Sequence, residues 1–517
     1  MHRRNSYLPG GGKPPFFCPY SYEHQNSESM SHDITQLEPH SLWEHFYTLS
    51  QIPRPSKHEQ QVTEHLRNLG QRLGFETVVE PIGNVIIRKP ATPGMEKRKG
   101  IILQAHTDMV PQKNADTQHD FLTDPIDTYH EDGWVKARGT TLGADNGIGV
   151  AAMMAVLTAR DLKHGPLEML FTVDEETENM AGASNLSPDV LLGDILINLD
   201  GERGGRVCIG CSGGRVATVD IPCTNEQLGV ENPRKAFSIT IKGLLGGHSA
   251  GDINRGRGNA IRFMMRLLKH LQEFDPRIAT LNAGTVDNAI PRECFATVVL
   301  PLEKASGFIT AVAQFEQVVK EEYTTAEPAI SISAEEVDKP KEMLTHQSQQ
   351  RLIGSVLSCP NGIIRMNDKL PGHVETSNNV AAIHPNENGY QLLCLMRSNH
   401  ASAMQAVSEE MQALFSLVDA QCRFFGDFPA WTPNINSPIL ASMKRVYRLA
   451  YGKEPDIFAT HGGLECGTIA MHYPKLDIIA MGPTILYPHS PDECVNVKSV
   501  QHFWDFLTRV LENVDSK

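Results

Sequence analysis

Several separate stretches of this chain carry an apolar run, or a glycine-rich turn, up to a side chain able to hold a metal or a proton. Leu103-Gln-Ala-His106-Thr-Asp108, Leu167 to Val173 followed by Asp174-Glu175-Glu176, and Ile195-Leu-Ile-Asn-Leu-Asp200 are three such runs, and Thr460-His461-Gly-Gly is a fourth segment of similar kind far downstream. Near-continuous apolar runs, rather than alternating ones, belong to strands covered on both faces, so a layered α/β sheet is expected. In open α/β sheets ligands sit beyond the carboxyl ends of the strands. The two-residue side-chain period puts His106 and Asp108 on one face of their strand.

The pattern predicts an α/β fold: a mixed-sheet catalytic domain with helices on both faces, interrupted by an inserted α+β lid domain. Residues 1–29 show no period and read as a disordered leader; 30–213 form the first catalytic part, 214–426 the lid, and 427–517 the second catalytic part. Helical spacing marks Val62, Leu66, Leu69 and Leu73, the stretch from Gly147 to Ala159, Asn259 to Phe274, Ala403 to Leu417, Ser437 to Leu449 and Val500 to Val514. At 517 residues, two or three domains are expected. A formal net charge of −14 disfavours nucleic acid and anionic lipid as partners. No apolar run reaches the ~20 residues of a membrane helix, and the N-terminus lacks the apolar core of a signal peptide. Ten sparse, irregularly spaced cysteines suit reduced thiols, so a cytoplasmic protein without disulfides is expected. Cys208-Ile-Gly-Cys211 has no second CxxC and no thioredoxin-like surroundings, so neither a zinc ribbon nor a redox motif is read there.

Each polar segment has a bland explanation. His106 and Asp108 could simply end a strand at the surface, and Asp174-Glu175-Glu176 could be a solvated acidic turn. In Arg138-Gly-Thr-Thr-Leu-Gly143-Ala-Asp145-Asn-Gly-Ile-Gly149, Asp145 could cap the following helix, or its two oxygens could bridge two cations. A phosphate cradle is disfavoured there, because GxxxxGK[ST] is missing and the Asp145 carboxylate would repel a phosphate. Together, four successive strands or loops ending in His, Asp, Glu and Asp, plus the distant His461, match the mixed nitrogen and oxygen donors of a dinuclear hydrolase, in which two cations acidify a shared water. Asp108 could orient His106 from behind, and of Glu175 and Glu176 one could ligate a metal while the other serves as base.

The segments QAHTDMVPQKN, WVKARGTTLGADNGIG, DEE, ILINLDGE, GGHSAGDI, NAIPRE, ETSNNV, HGGLECG and GPTILYPHSPDE resemble the co-catalytic zinc peptidases that include carboxypeptidase G and aminoacylase. The resemblance runs from about Met30 to the C-terminus and is strongest to the dipeptidase members. It implies two Zn²⁺, with Co²⁺ or Mn²⁺ as alternatives: His106 and Asp200 on one, Glu176 and His461 on the other, and Asp145 bridging. It implies Asp108 as orienter, Glu175 as general base and acid, and a cis peptide before Asn146. His248, in Gly246-Gly247-His248-Ser249, is implied as stabiliser of the developing oxyanion. Asn288, Arg397 and His489 are implied to touch substrate, with Arg397 matching a terminal carboxylate or, equally, a structural salt bridge. Asp174 departs from the neutral residue common in relatives.

The expected activity is hydrolysis of unblocked dipeptides, Xaa-His among them, by a metal-bridging hydroxide. An aminoacylase or N-acyl amino acid deacetylase, and a non-catalytic metal-binding homologue, are the rival readings. The lid is about twice the length seen in simple dimeric relatives, which borrow a lid histidine from a partner subunit. Here His248 could act within one chain, so either a monomer or a homodimer is consistent.

Overall fold

The computed structural model describes residues 33–177, 180–229 and 233–515. The leader expected over residues 1–29 lies outside the described residues. The eight strands of the first sheet run in the order Glu76–Val79, Val85–Lys89, Leu167–Thr172, Ile101–His106, Ile195–Asn198, Asp477–Ala480, Arg206–Cys211 and Asp456–Thr460. The central neighbours from Leu167–Thr172 through Asp477–Ala480 are parallel, and antiparallel pairs flank them, so the sheet is mixed as expected.

Every residue of Ile101–His106 and Leu167–Thr172 is buried, because helices cover both faces. Alternation sorts the side chains: Ile101, Leu103 and Ala105 join the core beneath His40–Ser50, Ala144–Thr158, Pro438–Tyr451 and Val497–Asn513, whereas Ile102 faces the core shared with Ala183, Cys466 and Ile469. Ala144–Thr158 is apolar all round, which fits a helix buried on every side.

Residues 213–428 build a second, antiparallel sheet. Its order is Ser331–Val337, Arg234–Lys242, Cys294–Pro301, Arg277–Ala283, Val374–Asn386, Gly389–Ser398, Gly213–Pro222 and Gln421–Phe428, with Gly362–Met366 paired to Val374–Asn386. Helices Ala260–His270, Phe308–Glu322, His346–Ser358 and Ala401–Ser416 pack on it around a separate core. The chain enters this unit at Ser212 and returns near Trp431. Cys211 and Trp431 exchange both backbone hydrogen bonds, at 2.9 and 3.1 Å, so the two crossings lie side by side. Cys208 and Cys211 are strand residues, and burial pushes the Cys211 thiol up to about 12, far from a reactive thiolate. All nine described cysteines are free.

Phe46 shows how packing reaches the polar loops. Its buried ring meets Trp43 edge-on at 6.0 Å and lies against the bare Cα of Gly147, two residues beyond Asp145. Phe46→Ala should therefore lower unfolding free energy by about 3–5 kcal/mol, read as a shifted urea midpoint with unchanged slope; an unshifted midpoint would show that this contact is dispensable.

Candidate metal centre

Three parallel neighbours deliver the first groups. His106 ends its strand, the turn Asp174-Glu175-Glu176 follows Thr172, and Asp200 follows Ile195–Asn198, so all emerge at the carboxyl edge of the sheet. His106 Nε2 lies 3.0 Å from Asp145 Oδ1 and 3.8 Å from Asp200 Oδ1. One ligand atom each from His106, Asp145 and Glu176 fall within 4.8 Å of one another.

Asp108, fully buried, is the hub behind them. Its Oδ1 stands 3.3 Å from His106 Nδ1 and accepts the Glu175 amide at 3.0 Å, while its Oδ2 accepts the Glu176 amide at 3.1 Å and the Ser56 hydroxyl at 2.8 Å. One carboxylate thus anchors the acidic turn through two amides and faces His106 Nδ1. Asp174 takes a left-handed conformation, φ 57°, that bends this turn, and donates its amide to Glu59 Oε1 at 3.0 Å. Glu59, Asp108 and Asp174 form a second carboxylate group. Oxygens of Glu59 and Asp108 there accept backbone amides, which accounts for that group as a turn brace.

Asp145 is held from below. Glu493, 2% exposed, accepts the amides of Leu142, Gly143, Ala144 and Asp145 at 2.7–3.1 Å. Buried Arg54 ties the two loops together, donating to the carbonyls of Thr107 and Asp108 and, at 2.6 Å, to that of Gly143. The Asp145–Asn146 peptide is cis. Neither Glu493 nor Arg54 was singled out by sequence reasoning. Glu493 ends a segment that carries the family resemblance, which was the available signal; Arg54 had none beyond its flanking prolines.

The site is short of positive charge. Burial raises the pKa of Glu175, Asp200 and Glu202 well above the carboxylate range, and that of Glu176 upward, each with a neighbouring carboxylate adding to the effect. Against burial, Asp108 and Asp145 hold His106 protonated well above its usual range. His489 Nε2 lies 3.3 Å from Asp145 Oδ2 and 3.0 Å from Glu176 Oε1, and these carboxylates lift its pKa to about 11. His489 thus lies between two carboxylates, and the donor set around it suits divalent ions.

His461 is not in this group. Its Nδ1 pairs with Ser212 Oγ at 2.8 Å and its Nε2 with Ser377 Oγ at 2.7 Å, and burial together with the Arg397 charge lowers its pKa to about 3. His248 pairs its backbone with Ala289 in a short two-residue ladder, and its loop meets Asn288, whose carbonyl accepts the Ser249 amide at 2.7 Å. Its ring keeps an exposed edge, yet desolvation and the nearby Arg397 charge lower its pKa to about 4, with His489 also in electrostatic reach. Arg397, 5% exposed, donates only a long 3.4 Å bond to Ser249 Oγ and lies 5.7 Å from the Phe428 ring centre; among the described residues no carboxylate forms an ion pair with it.

These shifts set the pH response after metal removal. Glu465 and Glu493, pushed by burial to about 7 from 4.5, keep protons on folding that the unfolded chain releases, so stability falls as pH rises from 4.5 to 7. His489 extends the fall upward from 6.5, whereas His461 and His248 oppose it only below 6.5. The melting temperature of chelated protein should drop between about pH 6.5 and 8, and divalent metal should flatten the profile; a level profile without metal would contradict the charge assignment.

The family model for Peptidase family M20/M25/M40 matches residues 102–513. The cytosol non-specific dipeptidase of Escherichia coli (strain K12) is 42% identical over 486 residues, 94% of this chain and 100% of the relative. The crystal structure of aminoacylhistidine dipeptidase from Vibrio alginolyticus superposes with a TM-score of 0.85 at 44% identity, covering 94% of this chain and 98% of that one. Aminopeptidase PepT from Bacillus cereus ATCC 10987, at 15% identity and a TM-score of 0.54 over 92% of this chain and 99% of that one, shares the fold. A mixed sheet with acidic strand ends, matched over most of its length by one family model and by full-length relatives, belongs to peptidase family M20/M25/M40.

Proposed function

We propose that this chain is a cytoplasmic metallo-dipeptidase that hydrolyses the peptide bond of unblocked dipeptides, Xaa-His among them. Full-length similarity to a cytosol non-specific dipeptidase and to an aminoacylhistidine dipeptidase supports that substrate class. Among the described residues no helix is long and apolar enough to cross a membrane. The single observation that carries the chemistry is the His106–Asp145–Glu176 group, with Asp200 3.8 Å from His106.

The ligand set we favour is His106 and Asp200 for one zinc, Glu176 and His461 for the other, and Asp145 shared, with cobalt or manganese as alternatives. A specific observation favours a second reading of one member: His489 Nε2 is 3.0 Å from Glu176, whereas both His461 nitrogens are engaged by serines. Metal content of His461→Ala and His489→Ala separates the two. Bound cations would supply Lewis acidity toward the scissile carbonyl and acidify the attacking water.

The chain's own groups then divide the work. Glu175, its amide anchored on Asp108 and its pKa raised by burial, takes a proton from the water and returns it to the leaving amine. His248 Nδ1 accepts the Ala250 amide at 3.2 Å, so the neutral ring carries its proton on Nε2 and can donate to the carbonyl oxygen as charge develops. Arg397, which forms no ion pair among the described residues though Asp287 is in electrostatic reach, is suited to grip the dipeptide's terminal carboxylate, with Asn288 and His489 at the rim. In this reading residues 214–426 are the lid, residues 30–213 and 427–517 the catalytic unit, and the lid histidine serves its own chain in a monomer or a homodimer.

Glu175→Gln should keep its metal and lose about 10²–10⁴-fold in kcat on dipeptides; near wild-type turnover with metal bound would overturn the base assignment. N-acetylated amino acids should be poor substrates beside free dipeptides, and the reverse preference would point to an aminoacylase. No turnover of either class by metal-loaded protein would point to a binding homologue.

A further inference from the structure

Glu327 lies in the second unit, in the turn between Phe308–Glu322 and Ser331–Val337, and is 1% exposed. A buried carboxylate is expensive unless paired, yet among the described residues no ion pair involves it. Its partners are two backbone amides: Leu245 donates to Oε2 at 2.6 Å and Gly258 to Oε1 at 2.7 Å. Those amides bracket His248. One carboxylate thus closes both ends of the segment that carries the lid histidine, and short bonds to a charged acceptor are among the stronger hydrogen bonds available.

The residues just before His248 are held in one conformation. Gly246 and Gly247 adopt φ 65° and 137°, and side chains there would collide with Arg292 and Asp252. The Asp252 carboxylate accepts the His248 amide at 2.9 Å, and Arg292 Nε donates to the Leu244 carbonyl at 3.0 Å. Gly258 leads directly into Asn259, which caps Ala260–His270. The acidic residue therefore ties the segment to a helix start on one side and to the strand Arg234–Lys242 on the other.

We propose that Glu327 is a positioning residue for the reaction, a clasp that holds His248 where its Nε2 proton meets the carbonyl oxygen of the bound dipeptide. This rests on the reading of His248 given above. Glutamine at this position keeps one acceptor but turns an NH₂ group toward the other amide, opening one side of the clasp. Aspartate is one methylene shorter and cannot span both amides.

The test uses the full-length, zinc-loaded protein and one dipeptide. Glu327→Gln should lower kcat about tenfold or more, with KM within about threefold and metal content as in wild type. Hydrogen exchange should quicken in residues 244–258 and stay unchanged at Leu142–Asp145. Adding Glu327→Gln to His248→Ala should cost less than about twofold further, since residues acting as a unit are non-additive. Should the glutamine variant fail to fold, Glu327→Asp is read in the same way. Wild-type kcat in the Glu327 variants beside a slow His248→Ala overturns the clasp alone. Wild-type kcat in His248→Ala overturns the reading of His248 itself. A loss on Glu327→Gln that persists undiminished in the His248→Ala background also overturns the clasp, because Glu327 would then act elsewhere.

Discussion

Everything at the carboxyl edge of the first sheet depends on negative charge gathered where water is scarce. Asp145, Glu175, Glu176, Asp200 and Glu202 crowd around two imidazoles, and burial raises the pKa of all but Asp145. Asp145 escapes because His106 and His489 both hold it charged, against the effect of burial. Such a group is stable only with added positive charge or bound protons. Family membership and the donor set identify the natural remedy as divalent metal, and catalysis then exploits the charge deficit that folding creates.

Two other carboxylates solve a different problem with the same means. Glu493 gathers four amides of the loop that presents Asp145, and Glu327 gathers two amides that flank His248. Neither points at the chemistry. Both use an acidic side chain as a multi-point acceptor to freeze an otherwise irregular backbone, which a neutral acceptor does less strongly. Asp108 does both, facing His106 with one oxygen while collecting amides with both.

This division explains what could be read from the sequence. His106, Glu176 and Asp200 could be placed from the sequence because apolar runs announce where a strand ends, and Asp145 because a glycine-rich turn feeds a helix there; the structure brings ligand atoms of His106, Asp145 and Glu176 within 4.8 Å of one another. The α/β class followed from the same runs. Glu493, Arg54 and Glu327 were illegible because they act on backbone amides or carbonyls between 53 and 351 positions away, and no side-chain spacing encodes such a partner. Helices Phe308–Glu322 and His346–Ser358 and the strand Arg206–Cys211 were likewise not picked out, their burial being decided by the neighbours they pack on. His461 stood out as a histidine beside glycines, but its engagement with Ser377 depends on how the two sheets meet.

The paired crossing at Cys211 and Trp431 has a further consequence. Because the inserted unit departs and returns through adjacent, mutually bonded residues, the catalytic sheet perceives it as a short loop whatever its length. Chain-closure entropy grows only logarithmically with the residues enclosed. Evolution can therefore enlarge or duplicate what hangs from that seam without renegotiating the strand order beneath it, and the same seam marks where an engineer could graft a different cover onto this hydrolytic base.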